Sequence, residues 1–379
     1  MRAPISPPAR NPYIDTLRGW SVIGVVCVHF AGSFVTTDVH AWSPSFYLGL
    51  GLNQLFGFAV PLFVFLSGLL AGSSRKKVSP GDYYVARFMR IGVPYLVVSV
   101  LSFFLLNHYA TWSALPGVGA KFTWLLQQVL FLGVEPTLYF IPLILQLYLL
   151  QPVLKALPDS LQRLNPAFDP ALTSRVLALL LLGLHVTLGL LCYRGTLNYY
   201  VWGRPNVLFW MFYFFAGLHF RTLTAAVSRP GWTRLGGLGL VVALAAMIWN
   251  GRQLLDPAVV GAHFELNRLD FAYARPEMLA YDLAVVVTLA AGIGLAWNPR
   301  AGLAAYLGNY TLEIYLWHIL VLYFGAWQFA EVLDSCRQLP ELIVLICAAA
   351  TLAIAGVTDG LRRLVTFIGG HRIILVKAD

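Results

Sequence analysis

The residues best suited to chemistry begin close to the start of the chain, in the run from Asp15 through Arg18 to His29. On an α-helix the eleven-residue step from Arg18 to His29 turns about 1,100°, which brings the two back to within about 20° of each other and roughly 16 Å apart along the axis. Asp15 precedes Arg18 by a three-residue step and lies near the same stripe. An ionisable group in a bilayer span costs at least about 2.5 kcal/mol at the centre on insertion scales, so two on one face point to a polar cavity. Histidine titrates near neutrality. His29 therefore suits general-base removal of a proton, or nucleophilic attack by its own imidazole. The structural alternative is an interfacial Asp15–Arg18 pair, with His29 hydrogen-bonded to a neighbouring helix. Cys27 is a poor rival nucleophile, because a two-residue step turns it about 200° from His29. No GxSxG elbow appears, which argues against a Ser-His-Asp hydrolase.

A second group is basic: Arg75, Lys76, Lys77, Arg87 and Arg90. Arg87 and Arg90 are neighbours on a helix face, and paired guanidiniums suit bidentate phosphate binding; the same patch also reads as an ordinary anchor for anionic headgroups. A third group lies late in the chain, where Asn309, Glu313, Tyr315 and His318 place polar side chains in an apolar segment. His318 either lines a cavity or bridges helices. Glu135, with Gln146 and Gln151 beyond it, either lines an acceptor route or is satisfied locally. His185, among leucines, reads as a packing histidine, and Ser67-Gly68 as a site of close helix approach. Tyr199, Tyr200 and Trp202 are either interfacial anchors or a platform for sugar rings.

These residues need elements to hold them, and the composition says which kind. Of 379 residues, 59% are hydrophobic and only 11% charged, against roughly 25% charged in a soluble domain. A soluble globule, a disordered chain and a disulfide-stapled secreted domain are all excluded. Stretches able to cross about 30 Å of hydrocarbon are predicted at 14–35, 52–72, 93–112, 136–157, 174–193, 204–222, 233–250, 278–297, 302–325 and 340–361. The expected fold is an all-α polytopic membrane protein of about ten helices. It forms a single domain over 1–379, with a tail over 1–13, a membrane core over 14–361 and a second tail over 362–379.

With both termini cytoplasmic, the inside loops collect the basic patch above together with Lys155, Arg163, Arg175, Arg221, Arg229 and Arg234. The outside loops keep a minority that includes Arg194, Arg204 and Arg275. The positive-inside rule thereby accounts for the net charge of +9 without nucleic acid. No cleavage signal follows the proline-rich start, so the first span is expected to be an uncleaved anchor. Residues 122–133 are too short to span and are expected at the interface or re-entering from outside. The loop 251–277, with His263 and Tyr273, is expected to line an entrance. Cys27, Cys192, Cys336 and Cys347 show no metal spacing, and no metal is expected. Cys192 and Cys336 could pair if both face an oxidising compartment, which spacing alone does not establish.

The run IDTLRGWSVIGVVCVHF resembles the first-helix signature of the acyltransferase-3 family of membrane O-acyltransferases, in which ten residues separate an Arg from a His. FVFLSGLL at 63–70, RFMR at 87–90 and NYTLEIYLWHIL at 309–320 resemble further elements of that family in the same order. Tyr315 and His318 stand one position further apart than its late Y-x-H pattern. The resemblance implies His29 as catalytic base and Arg18 as a partner that orients it or the donor. It implies Arg87, Arg90, Lys76 and Lys77 as contacts to the phosphates of acyl-coenzyme A, expected to be acetyl-coenzyme A. Asp15, Glu135, Glu313, Tyr315 and His318 are the candidate substrate-binding residues. The implied acceptor is a hydroxyl of a cell-surface or exported glycan, reached from the outer face of a bacterial inner membrane; YFIPLILQLYLLQP at 139–152 resembles members tied to surface polysaccharide synthesis. The rival reading is an exporter of polysaccharide or lipid-linked glycan, which ten spans, Pro61 and Pro142, and midplane polar residues would suit.

Overall fold

The computed structural model describes residues 11–35, 43–73, 79–165, 169–255, 273–299, 302–328 and 341–368. Every regular element among them is a helix. The chain opens with α1 (Pro12–Val35), followed by α2 (Pro44–Leu55) and α3 (Ala59–Ser73). Next, α4 (Pro80–Arg87) runs through a π-turn at Phe88–Gly92 into α5 (Val93–Leu105). Two short helices, α6 (His108–Ser113) and α7 (Gly117–Gln127), lead through a π-turn (Gln128–Leu132) and a 3-10 turn (Pro136–Tyr139) into α8 (Phe140–Leu164). After α9 (Pro170–Tyr193) comes a third π-turn, Tyr199–Gly203, and then α10 (Val207–Leu218) and α11 (Phe220–Thr224). The last helices are α12 (Arg229–Leu255), α13 (Pro276–Gly294), α14 (Leu303–Leu307), α15 (Thr311–Gln328) and α16 (Glu341–Ile368).

Among the described residues eight segments are long and apolar enough to cross a membrane, and α10 and the stretch Thr311–Phe324 are shorter apolar helices. Together they fall on the ten stretches predicted from sequence. Their backbone groups are satisfied within each helix, which is what allows a chain to lie in hydrocarbon. Starts are marked by prolines and side-chain caps: Ser79 accepts from the Asp82 amide at 3.1 Å and Asp169 from the Leu172 amide at 2.8 Å. Phe104, Leu179, Leu180, Leu238 and Val241 stand exposed, as lipid-facing positions should.

Three predicted spans are revised. The stretch predicted at 52–72 begins at Pro44 and breaks at Phe56-Gly57-Phe58, so that α2 and α3 form one bent crossing. The stretch predicted at 93–112 begins at Pro80 and ends at Leu105: α4 continues through the π-turn at Phe88–Gly92 into α5, with Pro94 in the first turn of α5. The stretch predicted at 302–325 is split into α14 and α15 around Gly308, where a Cβ would stand 2.1 Å from the Asp15 carbonyl oxygen. Periodicity alone does not show such breaks, since the apolar run continues through each of them.

Inside the bundle α3 packs flat on α10. A Cβ at Gly68 would lie 2.1 Å from the Phe214 carbonyl oxygen, so only glycine permits that approach. Overpacking of this kind costs about 1–3 kcal/mol or more. Gly68→Leu is accordingly expected to lower the thermal midpoint of the purified protein clearly, while Ser67→Ala beside it leaves the midpoint nearly unchanged; equal midpoints for the two variants would remove this account of the α3–α10 contact.

Candidate active site

The second half of α1 opens on a cavity of about 210 Å³. Val25, Val28 and His29 form one wall, and Phe56, Ala59 and Val60, from the bend between α2 and α3, form the next. The ends of other helices supply the polar lining: Thr137 and Tyr139 from the start of the α8 crossing, Tyr199, Tyr200 and Arg204 from the third π-turn, Tyr273 ahead of α13, and Tyr315 from α15. The backbone is held across these junctions by Asn53, whose side-chain amide donates to the Val28 carbonyl at 3.0 Å, and by the Tyr315 hydroxyl, which donates to the Thr137 carbonyl.

His29 lines this cavity with no hydrogen-bond partner among the described residues, and its ring lies 5.2 Å from that of His318 at 31°. His318 is fully buried. Its Nδ1 donates to the Tyr315 carbonyl at 2.5 Å, which sets the tautomer and leaves Nε2 as the unprotonated nitrogen. That Nε2 has no partner among the described residues. Burial holds the Tyr199 and Tyr273 phenols well above the usual tyrosine range, so both stay protonated at neutral pH. The Tyr199 oxygen accepts from the Tyr273 amide at 3.3 Å, which ties the third π-turn to the segment before α13.

The opposite end of α1 carries a different chemistry. Arg18 donates to the Thr311 hydroxyl at 2.8 Å and lies 3.7 Å from Asp15. Glu313, in the same first turn of α15, pairs with Arg362 from α16. The Arg362 guanidinium stands 4.9 Å from the Tyr310 ring, and the Tyr310 hydroxyl donates to Asp359 at 2.6 Å. Arg87 covers the Tyr148 ring at 4.4 Å, and Arg90 is exposed, within electrostatic range of Arg87, Glu313 and Arg362. Arg18 and Arg362 thus both meet the first turn of α15, through Thr311 and Glu313, at the end of α1 remote from His29.

The sequence itself matches a known family. The acyltransferase-3 family model, described as an acyltransferase domain, matches residues 11–359. The chain belongs to the acyltransferase-3 family. No curated protein and no solved structure matches it. It is a multi-pass membrane protein with an acyltransferase domain over nearly its whole length.

Within this acyltransferase the structure brings His29, His318 and Tyr315 together at the cavity. Asp15 and Glu313 lie with Arg18, Arg87 and Arg90 at the other end. Glu135 is paired with His108 of α6 at 3.0 Å. His185 bonds the Phe209 carbonyl at 2.6 Å and packs among aromatic rings. Lys76, Lys77, Cys336 and His263, and with them the expected lysine contacts and Cys192–Cys336 pairing, lie outside the described residues; the Cys192 side chain is buried with Tyr199 and Ala274. Residues 122–132 lie in the later part of α7 and its π-turn, and the π-turn is held to α5 by Tyr95 and to α8 by Gln146.

Sequence reasoning passed over Arg204, Thr137 and Arg362. Arg204 did carry a signal, as a basic residue on the face where the positive-inside rule leaves few, directly after the aromatic run YYVWG. Arg362 carried none, because one more arginine near a cytoplasmic tail is unremarkable in composition.

Proposed function

We propose that this protein is a membrane O-acyltransferase of a bacterial inner membrane, with both termini cytoplasmic. It moves an acyl group, expected to be acetyl, from acyl-coenzyme A to a hydroxyl of a cell-surface or exported glycan. The observation that carries this reading is the polarity of α1: His29 opens on a cavity with tyrosine and threonine in its lining at one end, and Arg18 meets the first turn of α15, where Arg362 pairs with Glu313, at the other. The arginine end is the cytoplasmic one by the positive-inside rule. Guanidiniums there suit the donor's phosphates, and by sequence Lys76 and Lys77 add to the same face.

In the reaction His29 takes the proton of the acceptor hydroxyl as its oxygen attacks the thioester carbonyl. The carbon–sulfur bond breaks, and the coenzyme leaves as a thiolate that recovers the proton from the imidazolium. Arg18 orients the donor along the stripe it shares with His29. His318, with its tautomer set by the Tyr315 carbonyl, supports the His29 ring. The cavity lining of tyrosine and threonine hydroxyls supports a polar acceptor rather than a lipid chain.

Cells expressing the wild type and supplied with isotopically labelled acetate are expected to carry a labelled ester on a surface glycan, with the ester largely lost in the Arg87→Ala/Arg90→Ala variant. In the purified protein that double variant should raise KM for the acyl donor about tenfold or more, as removal of charge-assisted contacts does. Surface glycan that disappears altogether, with no ester formed by the wild type, would instead select the exporter reading.

A further inference from the structure

We infer that the acceptor pocket recognises an anionic sugar, and that Arg204 is the residue that selects it. This deepens the function proposed above and rests on it. Arg204 lies directly after the third π-turn, with its backbone fixed at both ends: its amide donates to the Tyr199 carbonyl at 3.0 Å, and its carbonyl accepts from the Trp210 indole at 2.8 Å. The side chain is fixed as well. One guanidinium nitrogen donates to the Pro136 carbonyl at 2.7 Å, and the group stands 4.5 Å from the Tyr139 ring.

Those contacts hold the guanidinium at the cavity wall without neutralising it. Arg204 has no carboxylate partner among the described residues, and no lining residue of the cavity is acidic. Arg275, which is almost fully buried, has by contrast an acidic partner in Glu277. A guanidinium presents five N–H donors in a rigid fork, and only one hydrogen bond from the Arg204 side chain reaches a described residue. The donors left over match a carboxylate or a phosphate ester. An uncompensated cation on the wall of a recess favours an anionic occupant over a neutral one of the same shape.

The cavity sets the rest of the ligand. At about 210 Å³ it falls below the range of drug-sized pockets and suits one ring rather than a chain. Tyr200, half exposed at the cavity, offers a ring on which the apolar side of a pyranose packs, while the Tyr139 hydroxyl and Thr137 suit its polar edge. An anionic pyranose held at Arg204 brings its remaining hydroxyls to the wall that carries His29. The shared chemistry is a sugar with a negative charge, carried either by a ring carboxylate or by a phosphate ester.

The test is equilibrium binding of three probes to the full-length protein in nanodiscs without acyl donor: methyl β-D-glucuronide, α-D-glucose 1-phosphate and methyl β-D-glucoside. The wild type should bind at least one anionic probe about ten- to a hundredfold more tightly than the glucoside, the range expected for a hydrogen-bonded charge. The anion preferred identifies the source of the charge. Arg204→Gln should abolish the preference, Arg204→Lys should keep part of it, and added salt should weaken it in the wild type. The lysine variant also controls for a glutamine variant that fails to fold. Equal affinity for all three probes, no binding of any of them, or a preference that survives Arg204→Gln would overturn the assignment. Because no donor is present, that result leaves acyl transfer untouched, whereas absence of thiol release by a wild type that binds the anionic probe would overturn the proposed function and not the pocket.

Discussion

Replacing His29 with alanine is expected to lower kcat for acyl transfer by about 10²–10⁴-fold, the range for loss of a positioned general base. The measurement is thiol release from acyl-coenzyme A by the purified protein in the presence of acceptor. Affinity for the donor should remain close to that of the wild type, since the arginines proposed to hold it lie at the other end of α1. His318→Ala should cost less, because His318 is buried behind His29 and acts through it. The split between kcat and donor affinity is what makes the result specific. A variant that merely misfolds loses both, and an exporter shows no thiol release even as the wild type. Retention of full transfer by His29→Ala would remove the imidazole from the proposed reaction.

Arg275→Met is expected to destabilise the protein by about 3–5 kcal/mol, the cost of stranding one partner of a buried ion pair. Arg275 sits just ahead of α13, 3.6 Å from Glu277, and both side chains are almost fully buried. It also donates to Gln54 Oε1 on α2, which accepts a second bond from Asn250 of α12 at 3.2 Å. Gln54 in turn donates to Asn53 at 2.7 Å, and Asn53 holds the Val28 carbonyl beside His29. One polar network therefore joins α1, α2, α12 and the start of α13 behind the cavity. Removing Arg275 leaves the Glu277 carboxylate without its cation. Adding Glu277→Gln should recover a substantial part of the loss, because the double variant no longer strands the Glu277 carboxylate. Thermal midpoints of the two single variants and the double variant close the cycle, and strictly additive losses would show that the pair is not coupled.

The parts of the molecule legible in sequence are those governed by local rules. An apolar run long enough for hydrocarbon becomes a helix because its backbone must satisfy itself there, so all ten stretches contain apolar helices. The rotation that aligns Arg18 with His29 follows from helical geometry alone. Residues as near in sequence as Ser67 and Gly68 also declare their role, since only small side chains permit the approach of α3 to α10.

What the tertiary structure decided is which sequence-distant groups meet. His318 stands beside His29 because α15 crosses α1, and no period in either helix specifies that neighbour. Glu135 is committed to His108, and Glu313 to Arg362, through contacts between separate elements. Arg204 reads in sequence as one outside charge among several; only the third π-turn, the Pro136 carbonyl and the Tyr139 ring place it on the His29 cavity. Periodicity records which face of a helix is apolar, whereas a site assembled from the ends of six crossings depends on how those helices pack, and packing is a property of the whole bundle.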